Sequence, residues 1–232
     1  MRIDRYISKF EGLSRNYSRS LIKSGKVSVD GRVVRDPSLH VEENANVTLD
    51  GSRVIAFGMI YIMMNKPAGY VCSREESEGP TVFDLVQERF SYDLSVAGRL
   101  DRDSTGLTLL SNDGLFVHHV ISPKKTIEKE YLVQTVKPVT PEQIEAMNGG
   151  LLIGRGEFSK PVSVRTLGEN SVEIILTEGR FHEVKRLMKA SGNEVLTLHR
   201  SRIGGLSLPG SLKPGEWANI GEDALKIITG AE

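Results

Sequence analysis

The chain has 232 residues, of which 39% are hydrophobic and 26% are charged, as expected for a globular protein of one or two domains. Thirty basic residues balance thirty acidic residues, so the net charge of zero does not indicate a class of partner. The single cysteine, Cys72, excludes an internal disulfide and a metal cluster built from cysteines.

Two stretches of the sequence bear on the cellular location of the protein, the N-terminal MRIDRYISKF and the apolar run 59–64. The first lacks the uninterrupted apolar core that a signal peptide needs. The second is far too short to cross a bilayer. We therefore expect a cytoplasmic protein that has no contact with a membrane.

The first 48 residues predict two short helices followed by a β-hairpin. The apolar residues that recur at helical spacing are Ile3, Tyr6, Ile7 and Phe10 in the first helix and Tyr17, Leu21 and Ile22 in the second. Gly12 ends the first helix, Ser14 can cap the second, and Gly25 ends the second. Asp30-Gly31, between alternating valines, is a strong signal for a two-residue hairpin turn.

Positive charge is concentrated at this end of the chain. Residues 1–35 contain nine lysines and arginines against three acidic residues. Arg15, Arg19 and Lys23 follow one another at intervals of four residues, which places them on one face of the second helix. We predict that this face contacts RNA phosphates, because such contacts position a protein without reading sequence.

The sequence SRNYSRSLIKSGKVSVDGRVV (14–34) resembles the S4 RNA-binding module of ribosomal proteins and RNA-modifying enzymes. The resemblance covers residues 1–48 and implies a small αα-hairpin module that binds RNA. We interpret residues 49–58 as a linker and residues 59–232 as a second, larger domain.

The larger domain predicts strands and helices without a regular alternation. Strand-like runs occupy residues 61–64, 131–136 and 172–176. Helices are expected after the capping residue Thr140, over residues 181–190 and over residues 222–228. Since the βαβ spacing of a doubly wound sheet is missing, the pattern favours an α+β fold.

Residues 98–114, GRLDRDSTGLTLLSNDG, place charges of both signs in a glycine-punctuated loop before an apolar run. Asp101 lies there between Arg99 and Arg102. This loop resembles the catalytic loop of the pseudouridine synthases. Further motifs of that family follow the expected order, namely NKPAGYVCS (65–73), EKEYLV (128–133), EGRFHEVKRLMKASGN (178–193) and HRSRIGG (199–205).

The resemblance implies a mixed, mainly antiparallel sheet with flanking helices. It also implies isomerisation of a uridine in RNA to pseudouridine, with no cofactor and no metal. The essential carboxylate corresponds to Asp101, its partner cation to Lys185, and the active-site aromatic ring to Tyr131.

The family pattern also implies a set of RNA contacts around this site. Arg99 resembles the residue that fills the gap left by the flipped nucleotide. Arg102 and Arg180 complete the predicted contacts in this domain.

Neighbouring residues have ordinary structural explanations at this point. Asp103 is interpreted as a loop or capping residue, and His182 as a capping or core histidine. Phe181 is expected on the apolar face of its helix. Lys66-Pro67 is expected to shape the loop under the site.

The substrate is less narrowly defined than the reaction. YVCS after NKPAG, and EKEYLV, are nearest to the family branch that modifies small-subunit rRNA. This branch implies uridine 516 of 16S rRNA, and we expect a partly assembled small subunit as substrate and a monomeric enzyme. PTVFDLV (80–86) also resembles relatives that modify large-subunit rRNA, so a uridine of 23S rRNA is an alternative.

Two other classes of protein compete with this interpretation. The chain could be a non-catalytic S4-type RNA-binding or ribosome-assembly factor. A glycosidase fits poorly, because it needs two carboxylates on opposite sides of the bond, and Asp103 is too close to Asp101 in the sequence to be assigned that place.

Overall fold

The computed structural model describes residues 1–42, 44–74 and 79–229. Contacts divide the chain into two compact units, one of residues 1–60 with 86–94 and one of residues 61–85 with 95–232. Within the described residues, no helix is long and apolar enough to span a membrane. The division by contacts does not test the predicted domains 1–48 and 59–232 with a linker at 49–58, so these limits remain a proposal.

The first unit begins with the two predicted helices, α1 (Ile3–Glu11) and α2 (Arg15–Lys23). Gly12 ends α1 in the left-handed conformation, with φ 67°. The side chain of Ser14 caps α2 by accepting a hydrogen bond of 3.2 Å from the amide of Tyr17. Tyr17 itself was placed wrongly on the apolar stripe, since it is 54% exposed.

A four-stranded antiparallel sheet completes the first unit. Its strands are β1 (Val27–Val29), β2 (Arg32–Val34), β3 (Val47–Leu49) and β4 (Ser52–Arg53), in the order β2-β1-β3-β4. Asp30 and Gly31 both have positive φ, at 48° and 79°, as the predicted two-residue turn requires. The helices and the sheet enclose a core that includes Ile3, Ile7, Ile22, Val27 and Val47.

The second unit is built on a nine-stranded sheet and a separate two-stranded ribbon. Its strands are β5 (Tyr61–Lys66), β6 (Ser95–Ala97), β7 (Thr105–Ser111), β8 (Lys129–Thr135), β9 (Leu151–Leu152), β10 (Phe158–Ser159), β11 (Ser163–Gly168), β12 (Ser171–Leu176), β13 (Val195–Ile203), β14 (Leu206–Ser207) and β15 (Trp217–Asn219). The main sheet has the order β11-β12-β8-β13-β7-β5-β15, with β6 on β7 and β14 on β13, while β9 and β10 form the ribbon. The β13–β7 pair is parallel and the other described pairs of strands are antiparallel, which confirms the mixed, mainly antiparallel sheet.

Among the described residues, four α-helices flank this sheet, α3 (Gly114–Ile121), α4 (Pro141–Gly149), α5 (Glu183–Ala190) and α6 (Glu222–Thr229). The capping box of Thr140 and Gln143 opens α4, as the sequence predicts. The α5 helix begins at residue 183 and not at 181, because His182 takes the left-handed conformation with φ 50°. The α3 helix was not predicted; the side chain of Asp113 caps it.

The parallel pair brings the backbones of β7 and β13 into close contact. Gly106 has φ 103°, and a Cβ atom at this position would overlap the backbone carbonyl of Arg200. Glycine therefore permits both the local conformation and the approach of the two strands. This contact lies directly after the loop that carries Asp101.

We expect Gly106→Ala to lower the free energy of unfolding by at least about 2 kcal/mol, since the methyl group is strained and has no space. Urea unfolding of the second unit measures the change. Gly114→Ala is the matched control, because a Cβ there meets nothing within 4 Å. The control is expected to be neutral or slightly stabilising, and equal losses in both variants would contradict the close approach as the cause.

Candidate active site

Lys66 holds one end of the loop 98–104 from inside the protein. It is fully buried at the end of β5. Its ammonium donates hydrogen bonds to the backbone carbonyls of Ser104 at 2.7 Å and Arg102 at 3.3 Å. Burial lowers the pKa of Lys66. The expected structural role of this lysine under the loop agrees with these contacts.

Arg200 of β13 holds the other end of the same loop. Its side chain is buried, and it donates to the carbonyls of Leu107 at 2.7 Å and Gly98 at 2.8 Å. Between the two ends, the amide of Leu100 points at the sulfur of buried Cys72 at 3.5 Å. The loop is thus fixed through its backbone, which leaves the side chains of Arg99, Asp101 and Arg102 available at the surface.

Asp101 meets two basic side chains from the start of α5. One carboxylate oxygen lies 2.9 Å from Nζ of Lys185, and the other lies 3.3 Å from Nε2 of His182. Lys185 also contacts Asp103 at 2.7 Å. Partial burial lowers the pKa of Lys185, but hydrogen bonds with Asp103 and Asp101 outweigh it and raise the pKa above its ordinary value. Lys185 is therefore a cation between two carboxylates.

Tyr131 is brought next to this ion pair by β8. It is buried, and it lines a cleft of about 60 Å³ together with Asp101 and Lys185. Asp101 and Tyr131 also line an adjoining cavity of about 890 Å³. A cavity of this size has room for a nucleotide and part of its neighbours.

The three predicted RNA-binding arginines of this unit all line the larger cavity. Arg99 is exposed at its edge. The guanidinium of Arg102 donates to the carbonyl of Gly69 at 3.2 Å, and Arg180 pairs with Glu178 at 2.6 Å. The arrangement concentrates positive charge around the carboxylate of Asp101.

Two of the predicted RNA-binding residues of the first unit also form ion pairs within the protein. Arg19 and Arg15 lie 2.9 Å and 3.5 Å from the fully buried carboxylate of Asp4, which also pairs with Arg2. Burial raises the pKa of Asp4, but hydrogen bonds from Arg19 and Arg2 outweigh it and lower the pKa to about 2. Lys23 is exposed on the same helix.

Comparison with known proteins identifies the family. Residues 60–190 match the family described as RNA pseudouridylate synthase, and residues 1–47 match the S4 domain. The chain is 37% identical over 230 residues to ribosomal small subunit pseudouridine synthase A of Escherichia coli strain K12, covering 98% of this chain and 100% of that protein. The chain belongs to the RNA pseudouridylate synthase family. The protein of the same name from Vibrio cholerae is 38% identical over 229 residues, covering 98% of this chain and 99% of that protein. A crystal structure of a pseudouridylate synthase, 33% identical, has a TM-score of 0.71 and covers 98% of this chain and 99% of that one.

Sequence reasoning gave the synthase's Asp103 and His182 no part in the site, yet both contact its ion pair. The spacing of His182 and Lys185, one helical turn apart, is the signal that could have linked them. Phe181 was placed wrongly on the apolar face of α5, since it is 62% exposed and stacks on His182 at 3.8 Å.

Lys129 is a buried cation of the synthase to which the sequence analysis gave no role of its own. It lies two residues before Tyr131 on β8 and lines the larger cavity. Its ammonium donates to the carbonyls of Ile127 at 2.9 Å and Thr177 at 3.3 Å. Burial, together with the charge of Arg200, lowers the pKa of Lys129 to about 8.

This lysine makes a testable contribution to the pH dependence of stability. The ordinary pKa is 10.5 and the folded value is about 8, so the unfolded chain binds more protons between these pH values. The contribution of Lys129 to the free energy of unfolding therefore rises as the pH increases from 8 to 10.5. We expect Lys129→Met to remove this rise, which is up to about 3 kcal/mol.

Urea unfolding of the wild type and the Lys129→Met variant at pH 8 and pH 10 measures the effect. The wild type should gain stability relative to the variant at the higher pH. A difference between the two proteins that does not change with pH would contradict the buried, titrating amine.

Proposed function

We propose that this protein isomerises one uridine of 16S rRNA to pseudouridine, with Asp101 as the essential carboxylate. The observation that carries the proposal is the geometry of Asp101, whose carboxylate contacts Lys185 at 2.9 Å at the edge of a cavity that Tyr131 also lines. The names of the relatives in Escherichia coli and Vibrio cholerae favour the small-subunit rRNA over the 23S rRNA.

The reaction needs a carboxylate and no redox partner. The bond from N1 of uracil to C1′ of the ribose breaks, the base turns, and a bond from C5 to C1′ forms. N1 gains a proton and C5 loses one, so atoms and charge balance without a cofactor. Asp101 acts either by attack on the nucleoside or by removal of a proton from the sugar, and each route needs the ionised carboxylate. Lys185 favours that form, because a nearby cation stabilises the charged state.

Access to the uridine requires that it leave the base stack. Extrusion of a paired base costs a few kcal/mol. In the proposed complex Tyr131 stacks on the flipped uracil, which contributes roughly 1–3 kcal/mol, and Arg99 fills the gap left in the RNA. Arg102 and Arg180, on the wall of the same cavity, hold the flanking phosphates.

The first unit supplies sequence-independent affinity in this proposal. The α2 face of Arg15, Arg19 and Lys23 lies within the S4 match and contacts phosphates. We further propose that the substrate is a small-subunit assembly intermediate and that the enzyme acts as a monomer in the cytoplasm. Equal modification of naked 16S rRNA and of assembly intermediates would count against the first of these.

Asp101→Asn tests the reaction, since it keeps the shape of the side chain and removes its charge. We expect pseudouridine formation to fall by at least about 1,000-fold, while the affinity for RNA stays within about twofold. Asp223→Asn, a substitution of the same type at an exposed residue of α6, is the control and should leave both unchanged.

Pseudouridine mapping of 16S and 23S rRNA from cells that lack the protein, or that carry only Asp101→Asn, identifies the substrate. Loss of one site in 16S rRNA from both strains supports the proposal. Loss of a 23S site overturns the substrate and keeps the reaction. If every site persists in both strains, the protein is a non-catalytic RNA-binding factor.

A matched pair of substitutions tests the RNA-binding face of α2. Lys23→Gln should reduce the slope of log Kd against log salt by about 0.7–0.9 and leave stability unchanged, because Lys23 is exposed. Arg19→Gln should reduce the slope similarly and also destabilise the first unit, because Arg19 pairs with buried Asp4 at 2.9 Å. Salt titrations of RNA affinity and urea unfolding measure the two effects, and an unchanged slope in both variants would remove α2 from the interface.

A further inference from the structure

His182 has a backbone conformation that the start of α5 does not by itself explain. Its φ of 50° and ψ of 35° lie in the left-handed region, which a residue with a Cβ atom rarely adopts. Its side chain makes no capping hydrogen bond to the helix. Such strain persists where the surroundings impose it, and it is concentrated at functional sites.

The conformation carries the imidazole to the catalytic loop. Nε2 of His182 lies 3.3 Å from one carboxylate oxygen of Asp101, and the ring stacks on Phe181 at 3.8 Å with an angle of 18° between the planes. A carboxylate oxygen only accepts hydrogen bonds, so a hydrogen bond at this contact is one that an N–H at Nε2 of His182 donates. The stacking on Phe181 restricts the rotation of the imidazole.

Lys185 cannot fix the orientation of Asp101 by itself. Its ammonium is shared with Asp103, at 2.7 Å against 2.9 Å for Asp101. An ammonium is also a compact charge that can donate in a range of directions. One contact of this kind therefore leaves the plane of the carboxylate free to turn. A second donor on the other oxygen defines that plane.

We infer that His182 is a positioning residue for Asp101 in the pseudouridine reaction. The inference rests on the proposed function and adds to it a residue that acts through the carboxylate of Asp101. His182 holds one oxygen of Asp101 while Lys185 holds the other, and the left-handed backbone is the conformation that allows a residue at the helix start to reach back to the loop.

Two substitutions separate the side chain from the backbone. His182→Gly removes the imidazole and suits the left-handed conformation, so the variant should unfold at the same or a higher urea concentration than the wild type. His182→Gln retains an amide N–H at about the reach of Nε2. Thr126→Gly makes the change to glycine at another left-handed residue, with φ 48°, on an exposed turn, and serves as the control.

Single-turnover rates on small-subunit assembly intermediates from cells that lack the protein, and affinities for the same particles, test the inference. We expect the rate of His182→Gly to fall on the order of 10- to 100-fold with an unchanged Kd, because a misplaced catalytic group costs rate and not binding. His182→Gln should recover most of that loss, and Thr126→Gly should match the wild type.

The other outcomes overturn the inference in distinguishable ways. A His182→Gly variant as fast as the wild type would remove any role of the side chain and leave the proposed function intact. A weaker Kd with an unchanged rate would make His182 an RNA contact, and a rate for His182→Gln as low as that for His182→Gly would exclude the hydrogen bond. A wild-type chain without turnover would overturn the proposed function, and this inference with it.

Discussion

The site depends on a loop whose backbone carbonyls are bound by buried cations. Lys66 from β5 binds the carbonyls of Arg102 and Ser104, and Arg200 from β13 binds that of Gly98. With these carbonyl groups bound from inside, Leu100 is buried, while Arg99 and Arg102 are exposed and Asp101 is partly exposed. Asp101 is therefore held at a fixed place although it lies on a loop, and the catalytic role proposed for it needs that precision.

The first unit also contains a charged group that is held by several partners, in this case partners of opposite sign. There a buried carboxylate, Asp4, collects Arg2, Arg15 and Arg19. The arginines stabilise the fold around this carboxylate, because leaving it buried and unpaired would cost several kcal/mol. The arginines keep much of their surface exposed, at 51% for Arg15 and 43% for Arg19, so one cluster can serve both stability and an RNA surface.

Local signals predicted the elements well, because caps and turns depend on neighbouring residues. Ser14, Thr140 and Asp30-Gly31 act as their positions indicate. Contacts between distant parts of the chain were not predictable in this way. The bond from Arg200 to Gly98 spans 102 residues, and in sequence a buried arginine looks like an exposed one.

Errors near α5 have the same physical origin. Helical periodicity extended the helix over Phe181 and His182, so it gave Phe181 a buried face and His182 an ordinary place. One left-handed residue redirects both side chains, and periodicity contains no information about such a residue. The family motifs indicated Asp101 and Lys185, which the structure brings into contact, but not that Lys185 is shared with Asp103.

The buried cations also lower the stability of the fold, and the binding of a polyanionic substrate can offset this cost. The hydrogen bonds of Lys66, Lys129 and Arg200 described above all end on backbone carbonyls. A carbonyl replaces water only in part, so each buried charge lowers the stability of the fold, as the lowered pKa values of Lys66 and Lys129 register. An apolar side chain would remove this penalty, but it would leave backbone carbonyls without donors, and at Lys129 or Arg200 it would lower the positive charge of the cavity. A protein that binds a polyanion at this cavity gains from that charge when the RNA excludes water, because electrostatic attraction strengthens as the local dielectric falls.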